Sequence, residues 1–381
     1  MKLGSHVAAL SSVLFLSPST GALRFLTIYR QIYDRFRWSC VVNSPANRGR
    51  AMASNFSESD KPFPPWKLYP SCQYDLLTKT YGVKNVKLIY MVRHAEGTHN
   101  VDEDYKSVKN MDAPLTQLGK DQCLELRDEL LSLKKEIVEE KSLGTSTGNN
   151  YRNNSTRFRQ GLEYLVDGEG NISNDICVVV SPLTRCIQTA LLSFEFLTQT
   201  ASPTKCSLNN NGNGVRFIGF EALRETVNYQ CDRRRQLSKL SVDFPQIDFS
   251  FCQDENDEIW MSYRRRENSG EKICLESAEL HRVADRGRQA MEFLQTLPQS
   301  KIVVCTHSAY LRCILNWGQI GGVPKMFDQV LDDREDPTRQ DKIFKFCYKN
   351  DESGLDQASF EAYMRSDYKN AEMRSFCMLL Q

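Results

Sequence analysis

Four apolar runs punctuate an otherwise mixed chain: Val86–Val92, Ile176–Ser181, Val215–Phe220 and Lys301–Thr306. The first, second and fourth are nearly continuous in Val, Ile, Leu and Cys. That is the pattern of strands buried on both faces of a parallel sheet. Between them the apolar positions fall at helical spacing. Thr116 stands as the N-cap of a helix through Lys141, with Leu126, Leu130, Leu133 and Ile137 on one face. Thr184–Leu197 and Ser277–Leu297 repeat the pattern. Strands alternating with helices predict an α/β fold, here a three-layer α/β/α sandwich with a mostly parallel sheet.

Polar stretches set the boundaries. The first 56 residues carry seven Lys or Arg and one acid, Asp34. Val7–Leu16 is too short to span a bilayer, and Thr20 and Ala22 have the spacing of a signal-peptidase site. Residues 1–56 therefore read as a targeting or disordered leader, directing the chain to a plastid or mitochondrion, or bypassed if translation starts at Met52. Lys61–Pro70 reads as an extended lead-in packed on a folded domain spanning 72–350. Residues 142–174 and 207–214 are rich in Asn, Gly, Ser and Thr and read as insertions. Residues 351–381, which mix charge and aromatics, read as a C-terminal tail to which no element or role is assigned.

Composition narrows the function. Net charge is +1 and charged residues make up 25% of 381. No global field points to nucleic acid or stable membrane insertion as partner. The 13 cysteines form no CxxC pair, and they read as small buried hydrophobes in a reducing compartment. The sequons at Asn153, Asn154 and Asn171 would matter only on secretion. No His-x-x-x-His or carboxylate cluster has ligand spacing, so neither metal nor cofactor is expected.

Two of the five histidines, His94 and His307, directly follow buried strands. A third strand ends in Ser181-Pro182-Leu183-Thr184-Arg185. In open α/β sheets ligands lie beyond the carboxyl ends of strands, so Arg93, His94, Arg185 and His307 converge there. A neutral imidazole attacks phosphorus once its other nitrogen is fixed. Guanidiniums grip phosphate oxygens. A leaving alkoxide needs a carboxylic acid nearby.

These residues resemble a known family. Arg93-His94-Ala95-Glu96-Gly97-Thr98-His99-Asn100 resembles the Arg-His-Gly signature of the histidine phosphatase superfamily. Leu115-Thr116-Gln117-Leu118-Gly119 resembles its Leu-Thr-x-x-Gly helix start, and Ser181 to Ala190 its Ser-x-x-x-Arg-x-x-x-Thr-Ala motif. Thr306-His307-Ser308 resembles its second histidine motif. The resemblance implies that Arg93, His94, Arg185 and His307 form the phosphate pocket, with Asn100 and Thr98 contributing. It places the general acid in Leu223-Arg224-Glu225, making Glu225 the first choice and Glu221 the reserve. Ala95 replaces a Gly, tolerable if its φ is negative. Ser308 replaces another. The Arg-His-Ala variant and the stretch Cys231-Asp232-Arg233-Arg234-Arg235 resemble the phosphoglycerate mutase-like branch.

Arg233, Arg234 and Arg235 either bind a second anionic group of the substrate or form a salt-bridged face. Arg264, Arg265 and Arg266 read as surface charge, and His99 and His281 as structural or surface histidines. The expected activity is phosphomonoester hydrolysis of a small phosphorylated substrate through phosphohistidine. A phosphoglycerate mutase is the alternative enzyme, disfavoured because Thr226-Val227-Asn228 stands where mutases have His-Tyr-Gly. A non-catalytic phospho-ligand module is the alternative outside enzymes.

Overall fold

Along each central strand, side chains alternate between two separate cores. The computed structural model describes residues 65–102, 104–142, 162–165, 175–198, 215–268, 276, 280–316, 343–349 and 356–380, all within one compact unit, Pro62–Gln381. The leader 1–56 and nearly all of both insertions lie outside the described residues.

Eight strands form one sheet: β1 (Trp66–Pro70), β2 (Val86–Arg93), β3 (Ile176–Val180), β4 (Arg216–Gly219), β5 (Ile247–Asp248), β6 (Lys301–Thr306), β7 (Phe344–Phe346) and β8 (Met373–Leu379). Their order is β5-β4-β3-β6-β2-β8-β1-β7. All pairings are parallel except those of β8, which runs antiparallel to β2 and β1. The register aligns Arg93 with Thr306 and Val180 with Cys305. The carboxyl ends of β2, β6 and β3 therefore finish side by side.

One face carries Leu88, Tyr90, Val92, Val178, Val303 and Cys305. They pack against Leu77 of α1 (Tyr74–Tyr81), Leu126 and Leu130 of α3 (Gln117–Ser142), and Cys186, Ile187 and Phe194 of α4 (Thr184–Phe194). The opposite face carries Ile89, Met91, Val179, Ile302 and Val304. It is covered by Met291 and Leu294 of α7 (Leu280–Thr296), Leu311 and Ile314 of α8 (Ser308–Asn316), and Phe360 and Met364 of α9 (Gln357–Arg365). Each such side chain contributes about 1.5–3 kcal/mol through burial. The remaining helices are α2 (Thr98–Asp102), α5 (Leu237–Asp243) and α6 (Glu258–Asn268). This is the expected three-layer α/β/α sandwich.

The outer boundaries differ from the sequence reading. Trp66–Pro70 is a strand rather than a lead-in, paired with β7 and β8. The segment read as a tail supplies both α9 and β8, and β8 lies inside the sheet. Its pattern was hidden by Arg374 and Ser375, both buried within the strand. Arg374 reaches carbonyls at the turn before β8, donating to Ser366 (2.9 Å) and Asp367 (2.7 Å), and pairs with Glu372 at 2.7 Å. A charged residue satisfied in this way sits in a strand without exposing it.

Thr116 caps α3 as expected: its Oγ1 accepts the Gly119 N–H at 2.9 Å and donates to Glu96 Oε1 at 2.7 Å. A Cβ on Gly119 would lie 2.1 Å from the Glu96 carbonyl oxygen. Gly119 is thus required by the close approach of α3 to the loop after β2.

Candidate active site

The loop following β2 holds His94, only 2% exposed. Its backbone N–H donates to Thr306 O at 2.9 Å, tying it to the end of β6. The ring Nδ1 lies 2.7 Å from Ala95 O. A carbonyl only accepts, so Nδ1 carries the proton and Nε2 keeps its lone pair. Nε2 has no hydrogen bond to any described residue. Burial pushes the His94 pKa well below the usual histidine value, with Arg185, His99 and Arg93 adding to the shift. The ring is neutral. Ala95 is wholly buried and its φ is not positive, so the methyl group causes no strain. Thr189 braces this loop, accepting from Ala95 N at 3.0 Å and donating to Arg185 O at 2.7 Å.

The His307 ring centroid is 5.1 Å from that of His94. Its Nε2 lies 2.7 Å from Ser181 Oγ, joining the ends of β6 and β3. Burial also lowers the His307 pKa far below normal, reinforced by Arg185. Arg185, on the first turn of α4, is 1% exposed. It donates to Cys231 O at 2.7 Å and pairs with Asp232 at 3.3 Å, while its Nε has no partner. Arg93 donates to Tyr368 O at 2.6 Å, and its Nε is likewise unpartnered. Two guanidiniums with unused donors thus flank a neutral histidine pair.

Glu225 follows β4 and reaches the N-terminus of α8. Oε1 accepts from Thr226 N (2.9 Å) and Tyr310 N (2.8 Å), while Oε2 accepts only a longer bond from Ala309 N (3.3 Å). Burial raises the Glu225 pKa, and Asp232 raises it further; the backbone donors and Arg185 act in the opposite sense. The reserve candidate, Glu221, is ion-paired with Arg234 at 2.5 Å and Arg224 at 3.5 Å. Arg286 clamps the Glu225 loop, donating to the carbonyls of Ala222 (3.2 Å), Arg224 (2.8 Å) and Glu225 (3.2 Å). Glu276 in turn pairs with Arg286 at 2.7 Å.

The Asn100 side chain closes the turn into α2, accepting from Gly97 N at 3.0 Å. Thr98 stands at the start of that helix, partly exposed. The three consecutive arginines separate. Arg234 is buried against four carbonyls, those of Arg235, Glu255, Asp254 and Asn256. Arg235 is held by Asp112 (2.8 Å), Asp243 (2.5 Å) and Thr184 (3.0 Å). The guanidiniums of Arg234 and Arg235 are thus taken up by the protein. Arg233 makes no side-chain hydrogen bond or ion pair with any described residue. Arg264 lies over the Trp260 ring at 4.3 Å and Arg265 pairs with Glu258 at 3.3 Å. The side chains of Arg266 and His281 lie outside those described.

Sequence reasoning missed Asp232, Asp257, Glu276, Arg286 and the position of His99. Asp232 was visible only as one acid before three arginines. It also accepts from Tyr229 N at 3.0 Å and so sets the turn over Arg185. His99 is 5% exposed and its ring lies 5.8 Å from His94, inside the site rather than on the surface. Among the described residues no three His, Cys, Asp or Glu side chains group as a metal site requires, every cysteine is a free thiol, and no helix is long and apolar enough to cross a membrane.

Over 254 residues the chain is 30% identical to a phosphoglycerate mutase-like protein of Arabidopsis thaliana, spanning 62% of this chain and 76% of that relative. Phosphoglycerate mutase-like protein 1 of the same plant is 29% identical over 254 residues, spanning 62% of this chain and 73% of its own length. Among solved structures, mycobacterial glucosyl-3-phosphoglycerate phosphatase is similar with a TM-score of 0.31 at 13% identity, over 77% of this chain and 90% of that one. No family model matches the chain.

Proposed function

The chain belongs to the phosphoglycerate mutase-like branch of the histidine phosphatase superfamily, and from that premise we propose that it hydrolyses phosphomonoesters through a phosphohistidine on His94. The observation that carries this reading is the state of His94. The ring is buried and neutral, its Nδ1–H is committed to Ala95 O, and its Nε2 is unpartnered beside Arg93, Arg185 and His307.

In the first step the Nε2 lone pair attacks phosphorus and the P–O bond to the leaving group breaks. Glu225 gives its proton to the departing oxygen; Oε2, the oxygen with the weaker hydrogen bond, is the natural carrier. In the second step water attacks phosphorus, Glu225 takes its proton, and the P–N bond breaks with its electron pair returning to Nε2. The unused donors of Arg93 and Arg185 meet the charge spread over the equatorial oxygens. His307 supports the same charge as an N–H donor, because Ser181 Oγ–H can donate to Nε2 and leave the proton on Nδ1. Asn100 and Thr98, both on α2, are the further candidates for contact with the phosphate. Arg233, with its guanidinium unclaimed, is the one of three adjacent arginines suited to a second anionic group on the substrate.

The test is a phosphate-release screen over small phosphorylated metabolites with His94→Ala as control, and a rapid quench to capture protein-bound phosphate. Release should depend on His94, and the trapped phosphate should be acid-labile and base-stable. Isomerisation of 3-phosphoglycerate with 2,3-bisphosphoglycerate, faster than phosphate release, would overturn the hydrolase in favour of a mutase. Absence of release from every substrate, with ligand binding unchanged in His94→Ala, would point to a binding module.

A further inference from the structure

Beyond the phosphate pocket, the ring of His99 begins a series of flat side chains that leads outward from the nucleophile. The His94 and His99 centroids are 5.8 Å apart, those of His99 and Tyr105 6.0 Å, and those of Tyr105 and Tyr229 5.9 Å. His99 is 5% exposed and Tyr105 36%, and Tyr229 is half-buried. The rings are held by the same backbone that organises the pocket. Cys231 N donates to Tyr105 O at 3.3 Å, and Cys231 O accepts from Arg185 at 2.7 Å. Asp232, which pairs with Arg185, accepts the Tyr229 N–H at 3.0 Å. One short turn therefore fixes both the phosphate-gripping guanidinium and the outer ring.

The chemistry of this wall is specific. Burial, aided by Arg185 and Arg93, lowers the His99 pKa to about 2, so His99 presents a neutral ring and no charge. Its Nδ1 has no partner and packs against Gly97, where a Cβ would lie 2.7 Å away. Val101 and Val108, on the segments either side of Tyr105, are 61% and 68% exposed. The faces of these rings are apolar, and their polar atoms, the Tyr105 and Tyr229 hydroxyls and the His99 Nδ1, lie at the edges. A flat apolar group would find edge and face contacts along their length.

We infer that the leaving group of the substrate carries an aromatic ring, seated against Tyr105 and Tyr229 while the phosphate occupies the pocket of Arg93, His94, Arg185 and His307. This assignment rests on the hydrolase reading for its chemistry but not for its binding. Nucleoside and aryl-alkyl phosphates share the required shape, and the ring is what they have in common.

The experiment compares 2-phenylethyl phosphate with glycerol 3-phosphate. Both release a primary alcohol, so the ring is the principal variable. The wild type should prefer the phenyl substrate in kcat/KM by about 10-fold, the scale of one aromatic contact. Tyr105→Ala and Tyr229→Leu should each shrink that preference severalfold. Equal kcat/KM for the two substrates overturns the inference, as does an equal loss on both in each variant. If neither substrate is turned over, the hydrolase reading is left to the wider phosphate-release screen, and the ring is read by calorimetry. In that case 2-phenylethylphosphonate should bind more tightly than ethylphosphonate by about 10-fold, an advantage lost in Tyr105→Ala. Equal binding of the two phosphonates overturns the inference by itself.

Discussion

The arginines around the active site fall into two regions. Beside the pocket, Arg224 meets Asp257 through both Nη atoms and also donates to Asp232 O, while Arg286 is answered by Glu276 and three carbonyls. Inside the pocket, Arg185 has one carbonyl at 2.7 Å and a single carboxylate at 3.3 Å, and Arg93 has one carbonyl; an unpartnered Nε is common to Arg93, Arg185 and Arg224 and does not separate the regions. Arg185, Arg224 and Arg286 are buried and Arg93 is half-buried. A buried cation is costly unless its donors are met, so the deficit in the pocket persists where a ligand completes the set. The paired arginines hold the loops that carry Glu225, and the less fully paired ones lie beside His94.

Several measurements would break or sharpen that division. Asp257→Ala, which leaves the buried Arg224 with only the longer Glu221 carboxylate contact at 3.5 Å, should cost about 3–5 kcal/mol in urea unfolding. Little loss would mean that the surrounding arginines are interchangeable with solvent-exposed ones. Glu225→Gln should lower kcat by about 10²–10⁴-fold. In the wild type, kcat/KM should fall as pH rises through the raised pKa of Glu225, because the first step uses the protonated acid and deprotonation removes it. In the Gln variant that alkaline limb should flatten; a limb of undiminished slope would assign the proton to another group.

Arg185→Met should reduce phosphate release by about 10²–10³-fold. It should cost less stability than Asp257→Ala, since Asp232 keeps the N–H groups of Tyr229 and Asn228 and has its pKa raised by burial. A stability loss matching that of Asp257→Ala would erase the distinction between the regions. The smallest effect belongs to Arg233→Ala. KM for a substrate with a second anionic group should rise about 10-fold, with little change for a simple alkyl phosphate. Equal effects on both would remove Arg233 from substrate recognition.

Much of this was legible in the chain. The strands ending at Arg93, Val180 and Thr306 were marked by runs of Val, Ile, Leu and Cys, and the helix after Thr116 by its cap. The pocket residues stood at strand ends, so local pattern located them. The supporting charges were not legible, because their partners are remote. Asp257 answers Arg224, 33 residues earlier, and Asp112 answers Arg235 across 123 residues. No spacing rule reports such pairs, and three adjacent arginines therefore looked alike although the fold gives each a different environment. His99 was read as ordinary because a single histidine in a loop carries no periodicity. Only the packing of α2 against the pocket turned it inward.

The placement of β8 has a consequence for how the molecule is made. Val86–Arg93 emerges early in synthesis, but Met373–Leu379, which covers one of its edges, follows roughly 280 residues later. At about 5–20 residues per second the wait lasts about 15–60 seconds. Throughout it, a long apolar strand has at least one unpaired backbone edge, and two until Lys301–Thr306 has emerged, the feature that templates aggregation. The nascent chain therefore passes through a stage in which the strand leading to His94 exists without its neighbour, and a shielding chaperone would act on that edge.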